Sequence, residues 1–227
     1  LLVFVAAERR ELDGLLVYVD EVAKLNWPLD FARQGRLNGK QIVMVANGPG
    51  PKLAGAAVDV VKMNQKADAL ISIGFCGGLQ PSLGACDIFV ADEVIGVAPA
   101  LQPTSRKIFK TGKLLSIDRV VSTVGEKAEL GKTGADAVEM EAAAVAARAQ
   151  QYNVPFYAVR VVTDTWDEGF PLDFNKMRQD EGRFSRARIL AAAVRRPGIV
   201  FPQLIKLNKR TKRASQALGD FLADARF

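Results

Sequence analysis

The chain has 227 residues, 49% of them hydrophobic and 25% charged, the balance of a globular protein with one large domain and a substantial core. It contains no histidine. That excludes Ser-His-Asp and Cys-His catalysis and any His-ligated metal, and leaves acid–base chemistry to Asp, Glu, Lys, Tyr or Cys. The net charge of +6 is concentrated: residues 176–213 carry twelve Lys/Arg against two Asp/Glu, so the remainder is net acidic.

In chain order, "LLVFVAA" at the start is followed at once by Glu8, Arg9 and Arg10. It has no basic leader or cleavage site and reads as a first strand rather than a signal peptide. "RRELDGLLVYVDEVAK" places Leu12, Leu15, Leu16, Val19, Val22 and Ala23 on one stripe and predicts a helix over 9–24. "KQIVMVAN" predicts a strand, and "PKLAGAAVDVVKMNQ" a helix opened by Pro51. Further strands are expected in "DALISIGF", "CDIFVADEVIGV", "KLLSIDRVVS" and "VPFYAVRVVT". Several of these are apolar on both faces, as in a sheet covered on both sides. Val97 to Lys113, with two prolines, predicts a loop, and from Asp173 the pattern turns helical with a break at "RRPG". The alternation predicts an α/β three-layer sandwich: a central mixed, mostly parallel twisted sheet flanked by helices. Two cysteines, Cys76 and Cys86, fit no zinc spacing or disulfide framework and point to a reducing cytoplasm. No apolar run reaches the ~18 residues of a membrane span.

Glycines follow two strands, as Gly48 and Gly50 in "VANGPGPKLAG" and Gly74, Gly77 and Gly78 in "ISIGFCGGLQ". Such turns let a ligand approach the backbone at the carboxyl ends of strands, or are simply tight turns. The spacing is neither a dinucleotide fingerprint nor a P-loop. In "DAVEMEAAAVAARAQ" the acids Glu139 and Glu141 stand two apart with Met140 between them. Residues i and i+2 share a face on a strand but not on a helix. A switch from strand to helix near Met140 therefore leaves Glu141 at a helix mouth, among free backbone N–H groups.

Four pieces occur in order: "AAERREL", "NGPGPKLAGAA", "ISIGFCGGL", and "AVEMEAAAVA" followed by "VPFYAVRVVTD". In these the chain resembles the purine nucleoside phosphorylase/nucleosidase family, in particular its adenine-nucleoside branch, the methylthioadenosine/S-adenosylhomocysteine nucleosidases. The resemblance covers residues 1 to about 193 and implies cleavage of an N-glycosidic bond, with no cofactor and no metal. It makes Asp164 the acid that protonates purine N7 and Glu11 the carboxylate that activates water. It gives Glu141 the ribose hydroxyls, packs Met140 on the sugar, and turns Glu139 toward a structural contact beside the substrate. Gly48 and Gly78 would line the ribose and base pockets. Ser116 stands on the base-side strand, and Val120 where an aromatic often covers the purine. Phe75 occupies a position where the family tends to have a small hydroxyl residue, so it either crowds the water or phosphate site or packs in the core. Arg9 and Arg10 offer cations for phosphate if the reaction is phosphorolysis.

Residues 1–197 are thus expected to form the nucleosidase/phosphorylase domain. Residues 198–227 are expected to form a basic amphipathic C-terminal helix opened by Pro202, with Phe201, Leu204, Ile205, Leu218, Phe221 and Leu222 as its apolar stripe. This tail resembles that of hopanoid-associated phosphorylase-like proteins, which implies a lipid-linked adenosine (adenosylhopane) as substrate and peripheral contact with a membrane. The alternative for the same stripe is packing on its own domain or across a homodimer. The expected partners are a small-molecule nucleoside, with phosphate as cosubstrate in the phosphorolytic alternative, and a second copy of the chain. A nucleic-acid-binding or scaffold role is the competing reading of the pI near 9.4. The acidic main domain speaks against nucleic acid.

Overall fold

The structure, a computed structural model, describes residues 1–170, 173–178, 183 and 197–227, with backbone alone for 197–204. Five strands close on one another. Strand β5 (Ala69–Gly78) pairs with β10 (Phe156–Asp164), β10 with β6 (Ile88–Val94), and β6 with β8 (Lys110–Ser116); β8 pairs with β9 (Ala137–Glu139), which returns to β5. From the first half of β5 the sheet continues outward through β1 (Leu2–Ala6), β4 (Lys40–Ala46), β3 (Phe31–Leu37) and β2 (Asp20–Lys24), and β7 (Ala98–Pro99) pairs with β6. Parallel pairings join β4, β1, β5 and β10, and antiparallel ones join β4, β3 and β2. The sheet is mixed and flanked by helices, as the alternation of patterns predicts.

Strand β5 divides at Gly74. Residues before it pair with β1, while Gly77 and Gly78 pair with β9. Gly74 has φ +155°, and a Cβ there would stand 2.8 Å from a carboxylate oxygen of Glu11. A side chain at this position would occupy the space that Glu11 needs.

Helix α1 (Arg9–Leu16) and α5 (Pro197–Asp224) cover one face of the sheet, and α2 (Pro51–Asn64) and α4 (Ala142–Tyr152) the other. Pro51 opens α2, where its missing N–H leaves no bond unmade. Asn153, in the left-handed region with φ +52°, ends α4. Helix α3 (Val124–Gly131) is capped by the Thr123 side chain, which accepts from the Glu126 N–H.

Two expectations are corrected. The helix expected over 9–24 stops at Leu16, and Asp20–Lys24 is an edge strand on β3, a partner the pattern reading did not expect. Val19 is buried while Val22 is exposed, so the stripe does not continue as one helical face. The C-terminal helix begins at Pro197 rather than being opened by Pro202. It takes the alternative reading of its stripe, packing on its own domain: Ala214, Leu218, Phe221 and Leu222 are fully buried in the core formed with Leu12 and Leu15 of α1. The two helices meet backbone to backbone at glycines. A Cβ on Gly219 would come 2.1 Å from the Gly14 carbonyl carbon, and one on Gly14 1.9 Å from the Ser215 oxygen. Half of the stripe that a membrane-surface helix would use is therefore inside the protein. Ile205 is exposed, and the Phe201 and Leu204 side chains lie outside the described residues, as do Arg195 and Arg196 of the expected break. Among the described residues no helix is long and apolar enough to cross a membrane.

Candidate active site

A cavity of about 970 Å³ opens at the carboxyl ends of β1, β5 and β10. Its walls include Glu11, Gly48, Phe75, Gly77, Val120, Val121, Met140, Glu141, Thr163 and Asp164, together with Leu207 and Thr211 from α5. Segments far apart in sequence thus place three acids on one space.

Asp164 ends β10 and is 6% exposed. Its Oδ2 accepts from Lys127 Nζ at 2.5 Å, and Lys127 is itself wholly buried. Burial pushes the Asp164 pKa above its ordinary value even against that cation. The Thr163 hydroxyl lies 2.8 Å from Asp164 Oδ1 and 3.2 Å from the Cys76 carbonyl oxygen. It has one hydrogen, so when it donates to the carbonyl, Asp164 must carry the proton that joins Oδ1 to the hydroxyl. A protonated Asp164 satisfies both contacts.

Glu11 is the third residue of α1 and completes a capping box with Glu8. Its Oε2 accepts the Ala7 and Glu8 N–H groups at 2.8 and 2.9 Å, and Oε1 the Phe75 N–H at 3.0 Å. Burial nevertheless raises its pKa, because it outweighs these donors. Phe75 therefore contacts Glu11 through its backbone, while its ring lines the cavity and packs against the α1–α5 core.

Glu141 is the N-cap residue of α4, so the strand-to-helix switch falls across Met140. Its Oε1 accepts the Gly50 N–H at 2.7 Å. Burial, followed by the nearby charges of Glu139 and Glu11, moves its pKa upward. Glu139, one strand face away, is fully committed within the protein. It pairs with Arg160 at 2.6 Å and accepts from the Ser116 hydroxyl and from the Glu141 and Ala142 N–H groups. Arg160 is 1% exposed and also donates to the Ser72 backbone and hydroxyl.

The structure brings Asp164, Glu11, Glu141, Met140, Gly48, Phe75 and Val120 to the cavity. Gly48, at φ +110°, allows close approach; a Cβ there would meet Leu53 at 2.6 Å. Two placements differ from expectation. Gly78 faces Leu83, and it is Gly77 that lines the cavity, where a Cβ would come 2.9 Å from Asp164 Oδ2. Ser116 is not at the cavity wall, because its hydroxyl donates to Glu139 and accepts from the Ala143 N–H. Glu139 borders the cavity, but with every carboxylate contact taken inside the protein it anchors the turn rather than binding a ligand.

Lys127, Thr163 and Arg160 were not foreseen. Arg160 had a signal: a cation midway along the apolar strand "FYAVRVVTD" needs a buried partner. Lys127 had none beyond its place three residues before Leu130 on a short helix.

The sequence profile of the "Phosphorylase superfamily" matches residues 28–108 and 100–195. A 5'-methylthioadenosine/S-adenosylhomocysteine nucleosidase of Staphylococcus aureus is 28% identical over 162 residues, covering 57% of this chain and 71% of the relative. Solved structures share the fold. The nucleosidase of that name from Neisseria meningitidis, in complex with methylthio-immucillin-A, superposes with a TM-score of 0.69 at 22% identity, covering 98% of this chain and 96% of its own. An S-adenosylhomocysteine nucleosidase from Streptococcus pyogenes, in complex with 5-methylthiotubericidin, gives 0.69 at 20% identity, covering 100% and 97%. A futalosine hydrolase mutant of Helicobacter pylori gives 0.68 at 19% identity, covering 97% and 96%. With the profile spanning most of the chain and the fold shared end to end, the chain belongs to the phosphorylase superfamily.

Proposed function

We propose that this chain hydrolyses the N-glycosidic bond of an adenine nucleoside, releasing adenine. The observation that carries the reading is the convergence of three enclosed carboxyl groups, Asp164, Glu11 and Glu141, each with its pKa raised, on one cavity. Cleavage needs a proton delivered to the leaving purine, stabilisation of positive charge on the sugar, and activation of water. Asp164 gives its proton to N7, and the C1′–N9 electron pair leaves with the base. Glu141 accepts hydrogen bonds from the ribose hydroxyls with its free oxygen and stands near the developing oxocarbenium charge. Glu11 takes a proton from the water that adds to C1′. Met140 packs on the sugar and Val121 beside the base. The activity of the nucleosidase relatives supports the same chemistry.

Water is favoured over phosphate by Glu11, an enclosed carboxylate placed to take a proton from it, while each arginine bordering the cavity has a carboxylate partner that a phosphate would have to displace. Arg9 pairs with Asp13, Arg10 with Glu8, Arg119 with Glu126 and Arg183 with Asp30. The 5′ end is proposed to be bulky and apolar, a lipid-linked adenosine such as adenosylhopane included. The cavity is at the upper end of the roughly 300–1,000 Å³ of small-molecule sites, and Phe170, Phe174 and Leu207 border it. The test is incubation with adenosines of increasing 5′ substituent size, with and without phosphate. Adenine release that grows with an apolar 5′ group supports the reading. No adenine from any of them overturns it.

A further inference from the structure

Lys127 is a fully buried charge that the chemistry above does not use. It projects from α3, is 0% exposed, and ends at two acceptors, Asp164 Oδ2 at 2.5 Å and the Thr165 carbonyl at 2.7 Å. A lysine is almost never fully buried unless something compensates its charge. We propose that Lys127 is a positioning residue for the proton donor: it fixes the Asp164 carboxyl and stabilises the negative charge that forms there when the proton moves to the purine.

The inference rests on the reading of Asp164 as the acid. In the step, the Asp164 O–H bond breaks and an N7–H bond forms. The electron pair stays on the carboxylate, 2.5 Å from Lys127 Nζ. No solvent is needed to stabilise it, so the arrangement is organised before the reaction begins. Other groups face the same carboxyl. The Thr163 hydroxyl contacts it from β10, Cys76 lies on β5, and Glu168 and Arg210 stand in the following loop and on α5. Glu168 and Arg210 are paired with each other at 2.6 Å, which leaves Lys127, among the described residues, as the cation in direct contact with Asp164. A purely structural role would be to tie down the turn after β10 through Thr165.

The two roles separate by leaving group. Lys127→Met is compared with wild type on the best adenosine substrate and on p-nitrophenyl β-D-ribofuranoside, whose phenolate departs without a proton. The variant is expected to lose at least ~10-fold in kcat on the nucleoside, within the 10²–10⁴ that leaving-group protonation supplies, and little on the phenolate. Its alkaline limb should also move to higher pH, because the cation that favours ionised Asp164 is gone. Equal losses on both substrates with an unmoved limb would mean that Lys127 only holds the turn. Lys127→Gln repeats the comparison if the methionine variant does not fold. In the wild type, the ¹³Cγ of Asp164 and the ¹⁵Nζ of Lys127 should respond at the same pH; a lysine signal indifferent to the Asp164 titration overturns the inference without any substitution. Wild-type protein that releases no adenine overturns the reading of the site itself. Wild-type release with equal losses on both substrates overturns only the role of Lys127.

Discussion

Glu139 and Arg160 form an ion pair at 2.6 Å with both side chains 1% exposed, and the same carboxylate accepts the N–H groups of Glu141 and Ala142. This pair explains why two acids stand two residues apart before an alanine-rich helix. Glu139 closes the turn from inside, and the turn presents Glu141 to the cavity. Arg160→Met leaves the Glu139 charge buried without a partner and should cost about 3–5 kcal/mol of unfolding free energy, read from the denaturant midpoint. Adding Glu139→Gln should recover part of the loss. Full stability of Arg160→Met alone would show that the pair does not anchor the turn.

Asp164→Asn should reduce adenine release by at least ~10², because an amide cannot supply the N7 proton. Circular dichroism is measured alongside, since the variant leaves Lys127 buried beside a neutral group. A folded variant with more than about a tenth of wild-type kcat rejects the assignment.

Glu141→Gln should separate stability from activity. The folded-state pKa of Glu141 lies above its ordinary value, so the fold favours the protonated form. That stability is present at low pH and is lost as pH rises from about 4.5 through the folded pKa. Glutamine is neutral throughout and escapes the loss. Thermal unfolding should show the variant at or above wild type at pH 8, with the gap narrowing toward pH 5. Its kcat/KM should fall on a riboside and change far less on the 2′-deoxyriboside. An equal penalty on both sugars would remove Glu141 from the 2′-hydroxyl.

The pH profile of kcat/KM should be bell-shaped. Glu11 must be ionised to take a proton from water, so activity falls as pH drops through its raised pKa. Asp164 must be protonated, so activity falls as pH rises through its own. An acid limb at the ordinary glutamate value, near 4.5, would mean that Glu11 is not the base.

Much of this was legible in the sequence. The strands were readable because residues buried on both faces leave continuous apolar runs, as in β1, β4, β5 and β10. The place of Glu141 at a strand-to-helix switch was readable from its spacing to Glu139, whereas the roles assigned to Asp164 and Glu11 came from the family resemblance. Three features were hidden for physical reasons. The strand β2 is exposed along its whole length, so no alternation marks it. The docking of α5 depends on Gly14 and Gly219, isolated glycines whose role appears only when two distant helices touch. Lys127 meets Asp164 across 37 residues through tertiary placement alone.

The docked helix leads to its own prediction. Gly219→Ala places a Cβ against the Gly14 backbone and should lower the denaturant midpoint, and truncation after Pro197 should abolish cooperative unfolding, since it strips α1 of Leu218, Phe221 and Leu222. A truncated chain that unfolds cooperatively at the wild-type midpoint would show that the helix is a detachable tail.

Water is expected to attack C1′ as adenine leaves. This is tested most directly by turnover of a 5′-substituted adenosine in H₂¹⁸O with saturating phosphate, with products read by mass spectrometry. Hydrolysis through Asp164, Glu11 and Glu141 predicts free adenine matched by an equal amount of sugar carrying one ¹⁸O at C1′. A ribose 1-phosphate derivative in place of labelled sugar, or no adenine at all, would contradict it.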